Sequence, residues 1–478
     1  MQAGFFSADI TPPIGAMRAG NYSRMYINGV TGAMKVRAAV FEQDGCRIGI
    51  AGVDCCTIDR GLIQKALAHV EELEKFKFDE TIISASHTHT GASAASFIDL
   101  EQAARMDPKV VALTEYTPLP SEWYVDWVAR QLATALIMAA RRVEPALVST
   151  GIGEESGFAF NRRLVLKDGR AYSHPGKMNP DIVRPAGPVD PSVGVIGAWR
   201  PDGTLLGCLI NYGCHGTTYG SAGTHADWYH FVDETIKRMF GPETGVVVLN
   251  GPCGDVTQVN NQSSSVDYGV DVCRRLGTRV GSEAVKVLLG TPKQPFTRLA
   301  GVTKVVPIAR RVPRPDSLPK AWADVEAHRG DPGHADAVFA RERLYAAELA
   351  RVQPQKPVIL TAVQIGDAVL LSTPAEYFTS LSLRIKAESP FARTLVVELA
   401  NDCVGYVPDK AAFDPKTGGG YETVLTSYSN LVPEAGDIIA DALIAMSRSL
   451  SPEEAPPAPP PAAPGKVWDY GRRGPDLD

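Results

Sequence analysis

Short apolar segments of strand length alternate with amphipathic segments of helix length along most of the chain, and several apolar segments stop abruptly at a histidine, a carboxylate or a glycine. Residues 36–57 read as two strands joined at Asp44-Gly45, 60–76 has a helical period with Leu62, Ala66, His69 and Leu73 along one side, and 81–86 is a short apolar strand. Strand, helix, strand in that order predicts an α/β core. Further strands are expected at 146–152, 194–199, 205–212, 244–250, 299–308, 357–364, 367–372 and 394–400, with helices at 121–142, 228–240 and 267–289. Between strands, 316–352 is rich in Ala, Glu, Arg and Asp and reads as a charged helical hairpin added to the core. No internal repeat is apparent in the sequence. The expected fold is α/β, a mixed-sheet core flanked by helices, with one domain over residues 1–450 and a Pro/Ala-rich extended tail over 451–478.

Composition narrows the function classes. The net charge of −6, with both signs interspersed, offers no basic face for nucleic acid. No apolar run approaches the roughly 18 residues of a membrane span, so no stable membrane insertion is expected. The start of the chain has neither a basic stretch nor a long apolar one, which argues against a secretory signal. The eight cysteines contain no Cys-x-x-Cys pair and read as reduced, mostly buried thiols of a cytoplasmic protein. Nothing in the composition decides for or against a homo-oligomer.

Five strand ends carry candidate chemistry. In Ser84-Ala85-Ser86-His87-Thr88-His89-Thr90-Gly91, His87 and His89 are spaced i, i+2 and share a face if extended, so two imidazoles can enter one pocket. His215 follows the apolar run Leu209-Ile210-Asn211-Tyr212, and Asp255 and Thr257 follow Val246–Asn250 through a Gly/Pro turn. Glu376 ends Leu370-Leu371-Ser372-Thr373-Pro374-Ala375, and Tyr406 follows Asn401-Asp402-Cys403 before a glycine-rich loop that reaches Tyr421-Glu422. Each alone has a plain alternative: a loop or core histidine, Asp255 as a helix cap, Glu376 as a helix-terminal charge, Tyr406 as a core aromatic. Arg162 and the His225-Ala226-Asp227 stretch are further polar candidates, Arg162 able to hold a carbonyl oxygen or a carboxylate but on its own read first as a surface ion pair. Ligands in α/β folds gather at the carboxyl ends of strands, which favours reading these residues together.

The order of the motifs resembles the neutral ceramidase family, whose catalytic domain hydrolyses the amide of N-acylsphingosines. Ala8-Asp9-Ile10-Thr11, the His-Thr-His-Thr-Gly stretch, Asn161-Arg162, Asn211-Tyr212-Gly213-Cys214-His215-Gly216, Gly254-Asp255-Val256-Thr257, Pro374–Thr379, Gly405-Tyr406-Val407 and Tyr421-Glu422 occur in the family's order over roughly residues 3–436. The resemblance implies one Zn2+ held by His87, His215, Glu376 and Tyr406. It places His89 beside the metal as a substrate or proton-transfer partner, and Arg162 and Tyr421 on the scissile carbonyl or its oxyanion. The family's Gly-Asp-Val-Ser serine is Thr257 here, and its Tyr-Glu-Gly-Ala-Ser-Thr is Tyr421–Thr426. Extra segments occur near 98–122 and 311–355. A signal and a C-terminal immunoglobulin-like domain, features of the secreted members, are not expected.

The expected activity is zinc-dependent hydrolysis of a linear amide by metal-activated water, on a small soluble N-acyl compound rather than ceramide. A metal-free hydrolase with Thr257 as nucleophile, His89 or His215 as base and Asp255 as orienter is the first rival. A glycosidase using Asp255 and Glu376 as paired carboxylates is the second, and a binding protein on the same scaffold the third.

Overall fold

The computed structural model describes the chain except residues 97, 99, 222, 456–464 and 476. Most of the proline-rich part of the tail thus lies outside the described residues. Three sheets each contain three antiparallel strands followed by a fourth parallel to the third. The first sheet is built from β1 (Gln2–Asp9), β2 (Lys35–Gln43), β3 (Cys46–Val53) and β4 (Glu80–Ala85), with α1 (Arg60–Glu74) crossing between β3 and β4 and α2 (Glu122–Ala140) following. The second repeats the plan with β5 (Leu147–Glu154), β6 (Ser192–Trp199), β7 (Leu205–Tyr212), α3 (Trp228–Phe240), β8 (Gly245–Asn250) and α4 (Val270–Gly290). In the third, β9 (Leu299–Ala309) connects through α5 (Leu318–Ala327) and α6 (Ala335–Val352) to β10 (Gln355–Ile365). It continues with β11 (Ala368–Ser372), α7 (Thr379–Glu388), β12 (Arg393–Val397) and α8 (Ala435–Arg448).

The mixed α/β reading holds, and the fold adds what the sequence hides: the chain is three copies of a β-β-β-α-β-α module. The modules share a pattern of apolar runs but not residue identities. The central strand segments are mostly apolar because both faces of the sheets are covered there, whereas the edge strand of the third sheet is largely exposed. The inner faces meet in one core that takes Phe5, Phe41, Ile50 and Ile82 from the first sheet, Ile196, Leu209 and Leu249 from the second and Val363, Leu370 and Leu395 from the third. The outer face of each sheet packs on its own two helices, α1 with α2, α3 with α4, and α7 with α8. On α1 the buried positions are Leu62, Ile63, Ala66 and Val70, whereas Leu73 of the expected stripe is exposed. A period of 3.6 carries the contact line from Ala66 to Val70 rather than on to Leu73.

Register puts function at one end of every module. The β2–β3, β6–β7 and β10–β11 links are short reversals at the far end. The first-to-second-strand links (10–34, 155–191, 310–354) and the exits of the third and fourth strands lie together at the other end, as the pairs Val36↔Val53 with Val53↔Ala85, Asn211↔Gly194 with Tyr212↔Asn250, and Ala309↔Gln355 with Ser372↔Val397 require. Asn401 ties the first and third modules there, accepting from the Ile83 N–H at 3.0 Å and donating to the Thr81 carbonyl at 2.7 Å.

In the first module Arg37 donates to both carboxylate oxygens of Asp54 at 2.8 Å, with side-chain exposures of 6% and 2%. Breaking a buried pair leaves an uncompensated charge. Arg37→Ala is expected to lower unfolding stability by about 3–5 kcal/mol, read from the midpoint of denaturant unfolding. Among the described residues no helix is long and apolar enough to cross a membrane.

Candidate active site and metal centre

Each module supplies one residue to a common centre: His87 from the exit of β4, His215 from the exit of β7, Glu376 from the exit of β11. Local pairing brings them together. Thr88 pairs in parallel with Gly216, so His87 and His215 become neighbours with ring centroids 4.6 Å apart. A β-carbon at Gly216 would lie 2.6 Å from the His87 carbonyl oxygen, so only glycine admits this approach. Glu376 pairs with Tyr406 in a second parallel bridge, which sets Tyr406 beside it. Gly405, at φ +72°, packs so tightly on the carbonyl of Tyr428 that no side chain fits.

The imidazole tautomers follow from their partners. His87 Nδ1–H donates to the Cys56 carbonyl at 2.7 Å, and His215 Nδ1–H to the carbonyls of Cys253 (2.8 Å) and Val256 (3.1 Å). Both Nε2 atoms are therefore turned toward Glu376 Oε2, each at 3.1 Å. That oxygen is buried and, among the described residues, has no hydrogen-bond partner. A carboxylate oxygen and the Nε2 atoms of two inward-facing imidazoles converge, that of His215 also approached by Arg162, an arrangement that suits a cation shared by the three. Potential ligand atoms of the three residues lie within 4.8 Å of one another. Two imidazoles and a carboxylate are a zinc donor set, so the residues present fit the metal.

Electrostatics agree. Burial opposes the charge on Glu376, but His87 and His215 outweigh it and hold the carboxyl well below its usual range. Burial and the adjacent Arg162 push His215 down to about 4. Burial, with His87 and His215 alongside, also keeps His89 neutral, and its Nε2 stands 3.4 Å from that of His87. His87 is buried, yet Glu376 and Cys56 outweigh that cost and draw it toward its charged form. The centre thus calls for one positive charge beside the carboxylate.

Arg162 is buried rather than a surface ion pair. Its Nε donates to Glu422 Oε1 at 2.7 Å, its Nη1 approaches His215 Nε2 at 3.0 Å, and its Nη2 is buried with no partner. Tyr406 is buried, with Arg162 Cζ 5.2 Å from its ring and the Tyr421 ring 5.4 Å away. Tyr421 is 37% exposed and its hydroxyl meets that of Tyr22 at 3.1 Å, so it stands at the mouth. The hydroxyl on Glu376 is that of Tyr428, which donates to Oε1 at 2.6 Å.

Two expected participants are placed elsewhere. Both oxygens of Asp255 are taken, Oδ1 by the N–H and hydroxyl of Thr379 and Oδ2 by Asn161 at 2.7 Å. Asp255 therefore orients no histidine; it fixes the start of α7, just after Glu376, and the strand before Arg162. Thr257 is buried with its hydroxyl accepting from the Val259 N–H at 3.2 Å, and no histidine is among its hydrogen-bond partners. A Thr-His-Asp relay is not assembled, and Asp255 is not free to pair with Glu376 as a second glycosidic carboxylate.

The supporting residues were harder to read. His225 is a brace: its carbonyl accepts from the hydroxyls of Thr88 and Thr90, each at 2.8 Å, flanking His89. Glu398 accepts from the N–H groups of Cys253 (3.0 Å) and Tyr377 (3.1 Å), tying together the loops that carry His215's acceptor and Glu376. Burial pushes its carboxyl up to about 8. Strained backbone concentrates here, with positive φ at His87 (+62°), Asp227 (+59°), Leu399 (+48°) and Asn401 (+64°). Such conformations cost about 1–3 kcal/mol each and persist only where the surroundings over-determine them. Of the supporting residues, Glu422 lies in the Tyr421-Glu422 motif, while Cys56, Tyr428 and Glu398 lie in none of the motifs.

No protein-family model matches the sequence, and no curated protein matches it. Solved structures do. A crystal structure of neutral ceramidase from Pseudomonas aeruginosa superposes with a TM-score of 0.69 at 17% identity, over 95% of this chain and 76% of that one. A ceramidase complexed with C2 gives a TM-score of 0.67 at 17% identity, over 95% and 77%. The chain has the neutral ceramidase fold.

Proposed function

We propose that the protein is a zinc-dependent hydrolase of linear amides, acting on a small N-acyl compound. The observation that carries this reading is the convergence of His87 Nε2 and His215 Nε2 on the donorless Glu376 Oε2. His87, His215 and Glu376 would hold the metal, with Tyr406 the fourth candidate ligand. When bound, zinc polarises a carbonyl and lowers the pKa of water toward about 7. Arg162 Nη2, buried and unpartnered, is available to donate to the carbonyl oxygen as negative charge develops on it. His89, whose Nε2 stands beside that of His87, is placed to take a proton from the attacking water and return it to the departing nitrogen. Tyr421 at the mouth contacts the substrate's acyl or amine portion. The products are a carboxylic acid and an amine.

Burial of the centre favours a small soluble substrate over a membrane lipid: His87, His215 and Glu376 are at most 2% exposed. The rim supplies the hydroxyls of Tyr22 and Tyr421. A cytoplasmic location suits the eight free thiols.

The test is metal analysis of the purified protein with a screen of N-acyl amides. About one zinc per chain and amide turnover are expected, with turnover lost on chelation. Full turnover in metal-stripped protein would sink the proposal. The Thr257 rival is separated by Thr257→Val, expected to retain turnover within about threefold of wild type. A loss of the order of 10³-fold or more would instead make its hydroxyl the nucleophile.

A further inference from the structure

We propose that Glu342, on helix α6 of the added hairpin, is a positioning residue for the metal-site carboxylate, acting through the strap 421–430 and Tyr428. The inference rests on the metal reading of the centre. The hairpin occupies the first-to-second-strand link of the third module, the place from which the second module supplies Arg162 and the first supplies Tyr22. Its own contribution is indirect. Glu342 is 4% exposed, and its Oε2 accepts from both the N–H (2.9 Å) and the hydroxyl (2.6 Å) of Ser427. The next residue, Tyr428, donates its hydroxyl to Glu376 Oε1 at 2.6 Å. The other carboxylate oxygen, Oε2, is the one that faces the two histidines.

The strap is gripped at more than one point. Arg311, at the hairpin's entry, donates Nη1 to the Thr423 carbonyl (2.8 Å) and Nη2 to the Ser429 carbonyl (2.7 Å). Phe339, one turn before Glu342 on α6, packs its ring 5.9 Å from that of Tyr22, which meets Tyr421 at the other end of the strap. A carboxylate brought into a buried position costs several kcal/mol unless it is well hydrogen-bonded. Here both bonds are directed at one residue, the neighbour of the tyrosine that holds Glu376. Fixing Oε1 through Tyr428 turns Oε2 toward the imidazoles, as partners of a metal ligand ordinarily do.

The experiment measures zinc affinity by chelator competition, without substrate, in the full chain. Glu342→Ala and Tyr428→Phe should each weaken zinc retention by about tenfold. The double variant should be no weaker than the worse single one, because the two act along one path. Glu342→Gln, which keeps an acceptor for Ser427, should recover most of the loss. Losses that multiply to about 100-fold in the double variant, or wild-type affinity in Glu342→Ala, would overturn the proposal. Amide hydrogen exchange of the strap in Glu342→Ala provides a readout that needs no metal, with faster exchange expected over 427–430. Unchanged exchange there overturns the link to the strap whatever the zinc result. Absence of zinc from the wild type, by contrast, would refute the metal reading itself.

Discussion

Glu376→Gln is expected to leave the chain folded, to release the metal and to reduce amide turnover by about 10³-fold or more. Glutamine is nearly isosteric with glutamate, so the packing around Tyr406, Tyr428 and the paired loops survives. Its amide can donate to one of the two Nε2 atoms that Glu376 Oε2 now faces at 3.1 Å. It can therefore satisfy an imidazole without a cation, and it brings no negative charge to hold one. The contribution of a metal to stabilising developing charge is several kcal/mol, and each 1.36 kcal/mol is tenfold in rate. Zinc content by elemental analysis, thermal unfolding and turnover of the best amide substrate check the three parts separately. Retained stoichiometric zinc with lost turnover would move Glu376 from ligand to proton-transfer group.

The three residues that converge in this centre were legible because each ends an apolar strand, and such endings are visible in a single sequence. His87 and His215 follow apolar runs that end in polar, glycine-containing turns, and Glu376 follows one that ends in Ser372-Thr373-Pro374-Ala375. What the pattern could not show is that the runs belong to three equivalent modules whose exits share one end. The third-strand exits read Asp54-Cys55-Cys56, Gly213-Cys214-His215 and Thr373-Pro374-Ala375-Glu376, with no residue shared by all three at corresponding places, so the repeat is not apparent from residue identity. Supporting groups were hidden for a different reason. Tyr428 and Glu398 act through contacts between distant segments, Glu398 with Cys253 and Tyr428 with Glu376, and neither sits in a local motif. Asp255 illustrates the converse case. A carboxylate next to a strand end resembles chemistry, yet its oxygens are consumed by the N-terminus of α7 and by Asn161, which only the folded arrangement reveals.

Replacing Arg162 should separate substrate activation from metal binding. Arg162→Met is expected to keep zinc while lowering kcat/KM by about 10²–10³-fold, the usual consequence of removing one preorganised donor to a developing oxyanion. The buried Glu422 would not be stranded, since Arg163 Nε at 3.4 Å and the Ser173 hydroxyl at 2.6 Å remain beside it. The loss should fall mainly on kcat if Nη2 engages the oxyanion, because the carbonyl oxygen accepts a stronger bond as charge accumulates there. Arg162→Lys should recover little. A lysine ammonium is a single point donor and cannot bond Glu422 while presenting a second planar N–H toward the substrate, as the Nε and Nη2 arms of arginine can. An Arg162→Met enzyme that lost its zinc would show instead that the guanidinium organises His215, whose Nε2 it approaches at 3.0 Å, and the donor to the oxyanion would have to be sought at Tyr421 or Tyr406.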